Sequence, residues 1–190
     1  GNRVGRQRAM SADGHLLLVM HAPPKPDSHE RVGRFFWRSP EGQWKSNDLG
    51  DGIRALKKHV EEYEDLITGL DRREDDASNT DDYFEILEQL TPLLRATRNM
   101  HMVLQEGRKA CPDDHDLINL RDRAYVLERS AELLFDGSKN ALEFSVAKRA
   151  EQQAKSSFQM ELAAHRLNML VAFFFPVATL TAIFGVNLEH

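Results

Sequence analysis

Residues 167–188 constrain the fold more than any other part of the chain, because these 22 residues contain no charged side chain. Arg166 and Glu189 bound the segment, and a highly charged stretch precedes it. A helix needs about 20 mostly apolar residues to cross a hydrocarbon core that is roughly 30 Å thick. A buried core helix is the alternative, but this segment is apolar on all faces, whereas the preceding residues are amphipathic at best. The pattern therefore favours a membrane span.

Basic residues precede the uncharged segment and indicate its orientation. Lys148, Arg149, Lys155 and Arg166 lie within about twenty residues of it, and basic residues close to a span tend to stay on the cytoplasmic side. Nearby acidic residues count for little in that tendency. We therefore expect residues 1–166 to be cytoplasmic.

Residues 112–166 are predicted to form a long stalk helix that leads into the span. Pro112 and the acidic residues after it suit a helix start. Apolar or small residues then recur at alternating spacings of three and four, which is the seam of helices packed in a bundle or coiled coil. The seam consists of Leu117, Leu120, Ala124, Leu127, Ala131, Leu134, Ser138 and Ala141. Continued to the chain end, this helix exceeds 70 residues, or about 105 Å.

Residues 51–111 are predicted to form an antiparallel helix pair. One apolar stripe has helical period and consists of Ile53, Leu56, His59, Val60, Tyr63, Leu66, Ile67 and Leu70. Asp48 or Asp51 can cap the start of that helix. The second helix is predicted from about Thr80, with cap candidates at residues 79–82, to Glu106. Pro92 is expected to bend it or to mark a restart.

Residues 1–50 carry the only strand patterns in the sequence. "HLLLVMH" (His15–His21) is an apolar run of strand length, and "RFFWRSPEGQWKS" (residues 34–46) predicts two aromatic strands joined by a turn. The expected fold class is therefore α+β and predominantly α. It combines a small N-terminal antiparallel sheet, the helix pair, the stalk helix and the span.

Composition excludes several classes of function. Asp and Glu number 30 against 25 Lys and Arg, which argues against a nucleic-acid partner held by phosphate contacts. Cys111 is the only cysteine, so neither an internal disulfide nor a thiolate metal cage can form. No glycine-rich phosphate loop, nucleophile elbow or Cys-His pairing occurs, and we expect no enzymatic activity. The eight His are scattered, and His59 on the apolar stripe is expected in the core.

The uncharged segment resembles a known membrane helix. "LNMLVAFFFPVATLTAIFGVN" (residues 167–187) is similar to the first transmembrane helix of the CorA family of divalent-cation transporters. In that family a Pro near mid-helix is followed nine residues later by Gly-Met-Asn, and Pro176 with Gly185, Val186 and Asn187 has this spacing. Val186 stands where Met is usual and Ala178 where Thr is usual. The resemblance therefore supports membership of the family better than it supports selectivity for Mg²⁺.

The resemblance implies a homopentamer in an inner cell membrane, with the long helices around a central pore and a second membrane helix after this sequence. Mg²⁺ would pass a ring of Asn187 side chains, and Zn²⁺ or Co²⁺ are alternative ions. Because Mg²⁺ dehydrates reluctantly, neutral amide oxygens can bind it through its water shell. Leu167 and Phe175 stand where the family has apolar constrictions, with lipid-facing packing as the alternative. Pro176 would kink the helix and free the carbonyl of Ala172.

Two acidic stretches are candidates for regulatory cation binding. Residues 71–82 hold six acidic residues against two Arg, and the regulatory candidates there are Asp75, Asp76, Asp81 and Asp82. A solvated loop is the alternative. Residues 113–116, "DDHD", are either a solvated helix start or a metal site. The resemblance implies that cytosolic cation binding closes the pore.

Two hypotheses of different class therefore remain. The first is pore-forming transport of a divalent cation, and the second is a soluble or membrane-anchored coiled-coil protein that binds partners. The sequence after His190 distinguishes them, because a second apolar span of about 20 residues is expected only for the transporter.

Overall fold

The computed structural model describes residues 6–25 and 31–186, except for the side chains of residues 185 and 186. The fold is predominantly α with a small β-sheet, as the sequence predicts. The elements are β1 (Arg8–Ala12), β2 (His15–His21), β3 (Gly33–Arg38), β4 (Trp44–Ser46), α1 (Ile53–Asp76), α2 (Thr80–Ala110) and α3 (His115–Val186). The chain divides into two compact units, Gly1–Glu143 and Phe144–His190.

The strands form one antiparallel sheet in the order β1-β2-β3-β4. The two strands predicted within residues 34–46 are β3 and β4, and their turn is closed by a hydrogen bond from the Gly42 amide to the Ser39 carbonyl, 3.0 Å long. Strand β1 was not predicted, because it is only five residues long, is mostly exposed and has no apolar alternation. The sequence does contain a local signal for this strand, because the dipeptide Asp13-Gly14 is typical of a tight hairpin turn. Both residues have the positive φ that such a turn requires.

One face of the sheet packs against the helices. Leu16, Leu18 and Phe36 are fully or almost fully buried there. Gly107 explains how closely α2 approaches, since a Cβ at this position would lie 3.0 Å from a methyl carbon of Leu18. The predicted end of α2 at Glu106 is wrong, because Gly107 lies inside the helix, which ends at Ala110.

The start of α1 differs from the prediction. Gly52, with φ of 80°, occupies the N-cap, and neither Asp48 nor Asp51 caps the helix. Asp48 instead accepts a 2.8 Å hydrogen bond from Nε of Arg34 on β3. Helix α1 also continues to Asp76, so most of the expected loop at residues 71–82 is helical.

The start of α2 agrees with the prediction. Asn79 is the N-cap and forms a reciprocal capping box with Asp82. Pro92 lies within a single helix and does not mark a restart.

The first part of α3 packs against α1 and α2 along the predicted seam. Every seam residue from Leu117 to Ser138 is buried, whereas Ala141 is partly exposed. On the α1 stripe, Leu66 is exposed, with 37% of its surface accessible, and Ile53 is only partly buried, whereas the other stripe residues are buried. A continuous apolar core therefore joins the sheet to all three helices.

Ion pairs reinforce the contacts between these elements. Arg38 on β3 contacts Asp114 through Nε and Oδ2 at 2.8 Å, and both side chains are mostly buried. The other carboxylate oxygen of Asp114 accepts the Leu117 amide, so one side chain holds the sheet and caps α3. Arg98 on α2 pairs with two glutamates of α3, Glu128 and Glu132.

A buried polar cluster joins β3 to α1. The Arg34 guanidinium pairs with Glu62 and Asp48, and its Nη1 lies 3.2 Å from Nδ1 of the fully buried His59. The His59 ring packs between Phe36 and Tyr63, with ring centroids 5.3 Å away in both cases. A neutral imidazole suits this environment, because the adjacent guanidinium is already positive.

His59 is expected to make the fold sensitive to acid. Burial, and secondly the charge of Arg34, lower the pKa of His59 from 6.5 to about 3. Between these two values the unfolded chain binds a proton that the folded chain does not bind. The free energy of unfolding therefore falls as the pH falls from 6.5 towards 3, by at most about 1.4 kcal/mol per pH unit for this group.

Urea unfolding of the chain in detergent, followed by tryptophan fluorescence, measures this dependence. The variant His59→Gln keeps an acceptor for Arg34 but cannot titrate, so its stability should depend less steeply on pH below 6.5. Carboxylates contribute equally to both proteins and cancel in the difference. Identical slopes for the two proteins would contradict the assignment.

Candidate functional site

The second unit, from Phe144 onward, consists of the rest of α3 as far as the structure describes it. Every side chain from residue 146 to 184 is exposed. Within the described residues, α3 is the one helix long and apolar enough to cross a membrane, and none of its most apolar stretch is buried. This stretch is therefore not a core helix covered by the described residues of its own chain.

The two predicted constriction residues lie on this uncovered helix. Leu167 is 61% exposed and Phe175 is 70% exposed. They are eight residues apart, which at about 100° per residue puts them within about 80° of one another around the helix. They share one side of the helix, and no described part of the chain covers them.

Pro176 lies within α3, and the helix continues past it to Val186. Because proline has no amide hydrogen, the helical hydrogen bond to the carbonyl of Ala172 cannot form. Two threonines follow. Thr179 donates to the Phe175 carbonyl at 2.8 Å, and Thr181 donates to the Val177 carbonyl at 2.9 Å.

These threonine bonds explain how hydroxyl groups fit an otherwise apolar segment. Each hydroxyl is satisfied by its own helix, and such bonds to preceding carbonyls are also associated with bent helices. These bonds were not predicted from the sequence. A Thr inside an apolar helix was nevertheless a usable signal, because its hydroxyl can donate to the carbonyl four residues earlier.

The predicted ion-contacting residues lie at the end of the described chain. Gly185 and Val186 are the last residues of α3, and only their backbone is described. Asn187 lies outside the described residues. Its role as the ion contact stays a prediction.

The acidic regulatory candidates lie at the junction of α1 and α2. Asp75 and Asp76 are the last two residues of α1, and Asp81 and Asp82 lie in the first turn of α2. The connection is only three residues long, residues 77–79. Within residues 6–25 and 31–186, no three His, Cys, Asp or Glu side chains are grouped to hold a metal ion.

Asp82 is occupied by the helix cap. Its carboxylate accepts the amide of Ser78 at 2.9 Å, the amide of Asn79 at 3.2 Å and the side-chain amide of Asn79 at 2.7 Å. These hydrogen bonds, led by that from the Ser78 amide, lower the pKa of Asp82. Among the four candidates, Asp82 is thus the one with an evident structural role.

The second acidic stretch, residues 113–116, is also engaged in the fold. Asp114 pairs with Arg38, and Asp116 pairs with Lys57 on α1 at 2.7 Å. The Arg38 contact joins residues 76 positions apart, so no local pattern could have indicated it. The helix start is an anchoring point for α3.

Comparison with known proteins gives a structural likeness without a sequence match. No protein-family model and no curated protein matches the chain. The cytoplasmic domain of ZntB from Vibrio parahaemolyticus RIMD 2210633 is similar with a TM-score of 0.58 and 11% identity, over 79% of this chain and 76% of that one. The full-length CmaX protein has a TM-score of 0.69 and 13% identity, over 95% of this chain and 66% of that one. Identities this low establish the fold alone.

The capping role of Asp82 is testable against its neighbour Asp75. Asp82→Asn should lower the thermal unfolding midpoint, because the cap loses a charged acceptor at the positive end of α2. Asp75→Asn should leave the midpoint unchanged or raise it slightly, because it removes a negative charge from the carbonyl end of α1. Circular dichroism of both variants without divalent ions measures the two effects. A destabilising Asp75→Asn with a neutral Asp82→Asn would refute the assignment.

Proposed function

We propose that this chain is the cytoplasmic region and first membrane helix of a CorA-like transporter for divalent cations, with Mg²⁺ as the favoured ion. The observation that carries the proposal is the motif of Pro176 followed by Gly185, Val186 and Asn187. Pro176, Gly185 and Val186 lie in the last part of a 72-residue helix, and the described residues leave this apolar part uncovered. A helix of this kind suits a pore that leads from a cytoplasmic region into the bilayer.

The structural comparisons support the cytoplasmic placement of residues 1–166. One similar structure is itself a cytoplasmic domain, and it aligns with 79% of this chain. The basic residues before the span favour the same side of the membrane. We propose the inner cell membrane as the location, as the family resemblance implies.

Transport requires more than one copy of the chain. A single helix cannot enclose a pore, and every described side chain of the span is left for lipid or other copies to cover. We propose a homo-oligomer, with the pentamer that the family resemblance implies. In this assembly Leu167 and Phe175 form apolar constrictions that exclude water when the pore is closed.

Asn187 is proposed to contact the hydrated ion beyond these constrictions. Five neutral amides attract a hydrated cation without holding it as tightly as five carboxylates would. Val186 and Ala178, the two departures from the family pattern, leave Zn²⁺ and Co²⁺ as alternatives. The ion would move down its electrochemical gradient.

Gating is proposed to depend on acidic residues shared between copies. Asp75, Asp76 and Asp81 are exposed at the α1–α2 junction and have no partner assigned by the fold, in contrast to Asp82. Within one chain they do not assemble a metal site. Ligands from a neighbouring copy would complete it, and loss of the cation would leave repelling carboxylates that loosen the assembly.

A coiled-coil interaction protein is the rival function. Tyr125, Val126 and Leu133 on α3 are each more than half exposed, which is the observation that favours a protein partner. In that case the terminal segment would be an anchor, and Asn187 would have no role in ion movement.

Ion uptake by the full-length protein tests the pore assignment. Asn187→Ala should reduce Mg²⁺ uptake by about tenfold or more, because the ring of amide oxygens is lost. Asn168→Ala is the matched control and should retain uptake, since Asn168 lies near the other end of the span and outside the motif. Unchanged uptake by Asn187→Ala at equal expression would count heavily against the proposal.

Light scattering of the purified chain tests the regulatory proposal. The oligomer should form in millimolar Mg²⁺, at about 1 mM or above, and dissociate when the ion is removed. The double variant Asp75→Asn, Asp76→Asn should need more Mg²⁺ or stay dissociated. A monomer under both conditions would argue against cation-dependent assembly.

A further inference from the structure

The edge of the proposed span carries a mixed basic and apolar patch. We define the Arg166 patch as Leu162, His165, Arg166 and Met169, all of which are exposed. With about 100° per residue, these four side chains fall within an arc of about 100° on one side of α3. They extend over eight residues, or about 10 Å along the helix axis.

This patch lies on the side of α3 opposite the proposed constrictions. The centre of the arc is about 180° around the helix from the midpoint of Leu167 and Phe175. If those two residues face the pore, the patch faces away from it. The patch therefore faces the bilayer, a neighbouring helix or the cytosol close to the membrane surface.

We infer that the Arg166 patch binds anionic phospholipid headgroups in the cytoplasmic leaflet. This inference rests on the membrane placement in the proposed function. Arg166 is the last charged residue before the uncharged segment, so its guanidinium lies at the depth of the headgroups. Leu162 and Met169 flank it with apolar side chains, 43% and 61% exposed, that suit the boundary between headgroups and acyl chains.

The surrounding charges favour an anionic lipid. Glu161, the nearest acidic residue in the sequence, lies one turn before His165 at the margin of the patch and about 90° around the helix from its centre. Glu151 points to the same side as the patch but is more than ten residues away and pairs with Lys155 at 2.6 Å. Within the described residues Arg166 forms no ion pair, so its charge is available for a phosphate. A guanidinium binds phosphate oxygens in a two-pronged geometry.

Lipid selectivity of the chain in vesicles tests the inference without measuring transport. The chain is reconstituted in phosphatidylcholine vesicles that contain spin-labelled phosphatidylglycerol or spin-labelled phosphatidylcholine. The motionally restricted fraction should show a preference for phosphatidylglycerol of about fivefold, the effect of one basic residue at an anionic surface. High salt should weaken the preference.

Two matched variants locate the interaction. Arg166→Gln should bring the preference close to unity, whereas Arg149→Gln, with the same change in charge about 25 Å farther along the helix, should leave it intact. No preference in the unmodified chain would overturn the inference. An equal loss in both variants would overturn it too, since it would indicate a diffuse effect of net charge.

A cross-linking experiment tests whether another copy covers the patch instead. In a Cys111→Ser background, Leu162→Cys should form no disulfide-linked dimer when the vesicles are oxidised, because lipid occupies this face. Efficient disulfide-linked dimers would assign the face to a second copy and overturn the inference.

Extraction of the vesicles at alkaline pH separates failure of this inference from failure of the proposed function. Retention of the chain with no lipid preference would overturn the lipid site alone. Release of the chain would overturn both, because the patch would then not lie at a membrane surface.

Discussion

Continuity of α3 is the constraint on which the rest of the structure depends. A single helix extends from His115 to Val186, with one backbone hydrogen bond missing at Pro176, so the same helix must suit two environments. Up to Ser138 its seam is buried against α1 and α2. Beyond residue 145 every described side chain is exposed, and the apolar ones require lipid or further protein as their environment.

The first unit fixes the start of this helix with a few polar contacts placed over an apolar core. Asp114 is central, because one carboxylate both pairs with Arg38 and caps α3. Arg34 has the corresponding role for α1, where it joins β3 to Glu62 and to the neutral ring of His59. Loss of one partner in such a buried pair leaves the other charge uncompensated, which is why these contacts specify a single arrangement.

The fold was largely predictable because each element has a strong local signal. Strand β2, the hairpin of β3 and β4 and the seam of α3 follow from apolar period and turn chemistry alone. Strand β1 and the last turn of α2 were not predicted. Strand β1 pairs with β2 across a two-residue turn, but its exposed residues have no apolar alternation to indicate it. Gly107 stays helical because of a contact distant in sequence, where the sheet packs on it.

The candidate site divides in the same way. By itself the sequence determined that residues 167–188 have no charge, that Pro176 and Asn187 stand at a specific spacing, and that acidic residues cluster at residues 71–82, because composition and spacing are properties of the chain. The cap formed by Asp82 follows from the local pattern at residues 79–82, whereas only the tertiary structure decided that Asp114 and Asp116 anchor α3 and that no metal site assembles within the described residues of one chain. The reason is physical: a carboxylate binds whichever donor the fold brings within about 3 Å, and the donors to Asp114 and Asp116 include Arg38 and Lys57, which lie far away in sequence where no local pattern specifies them.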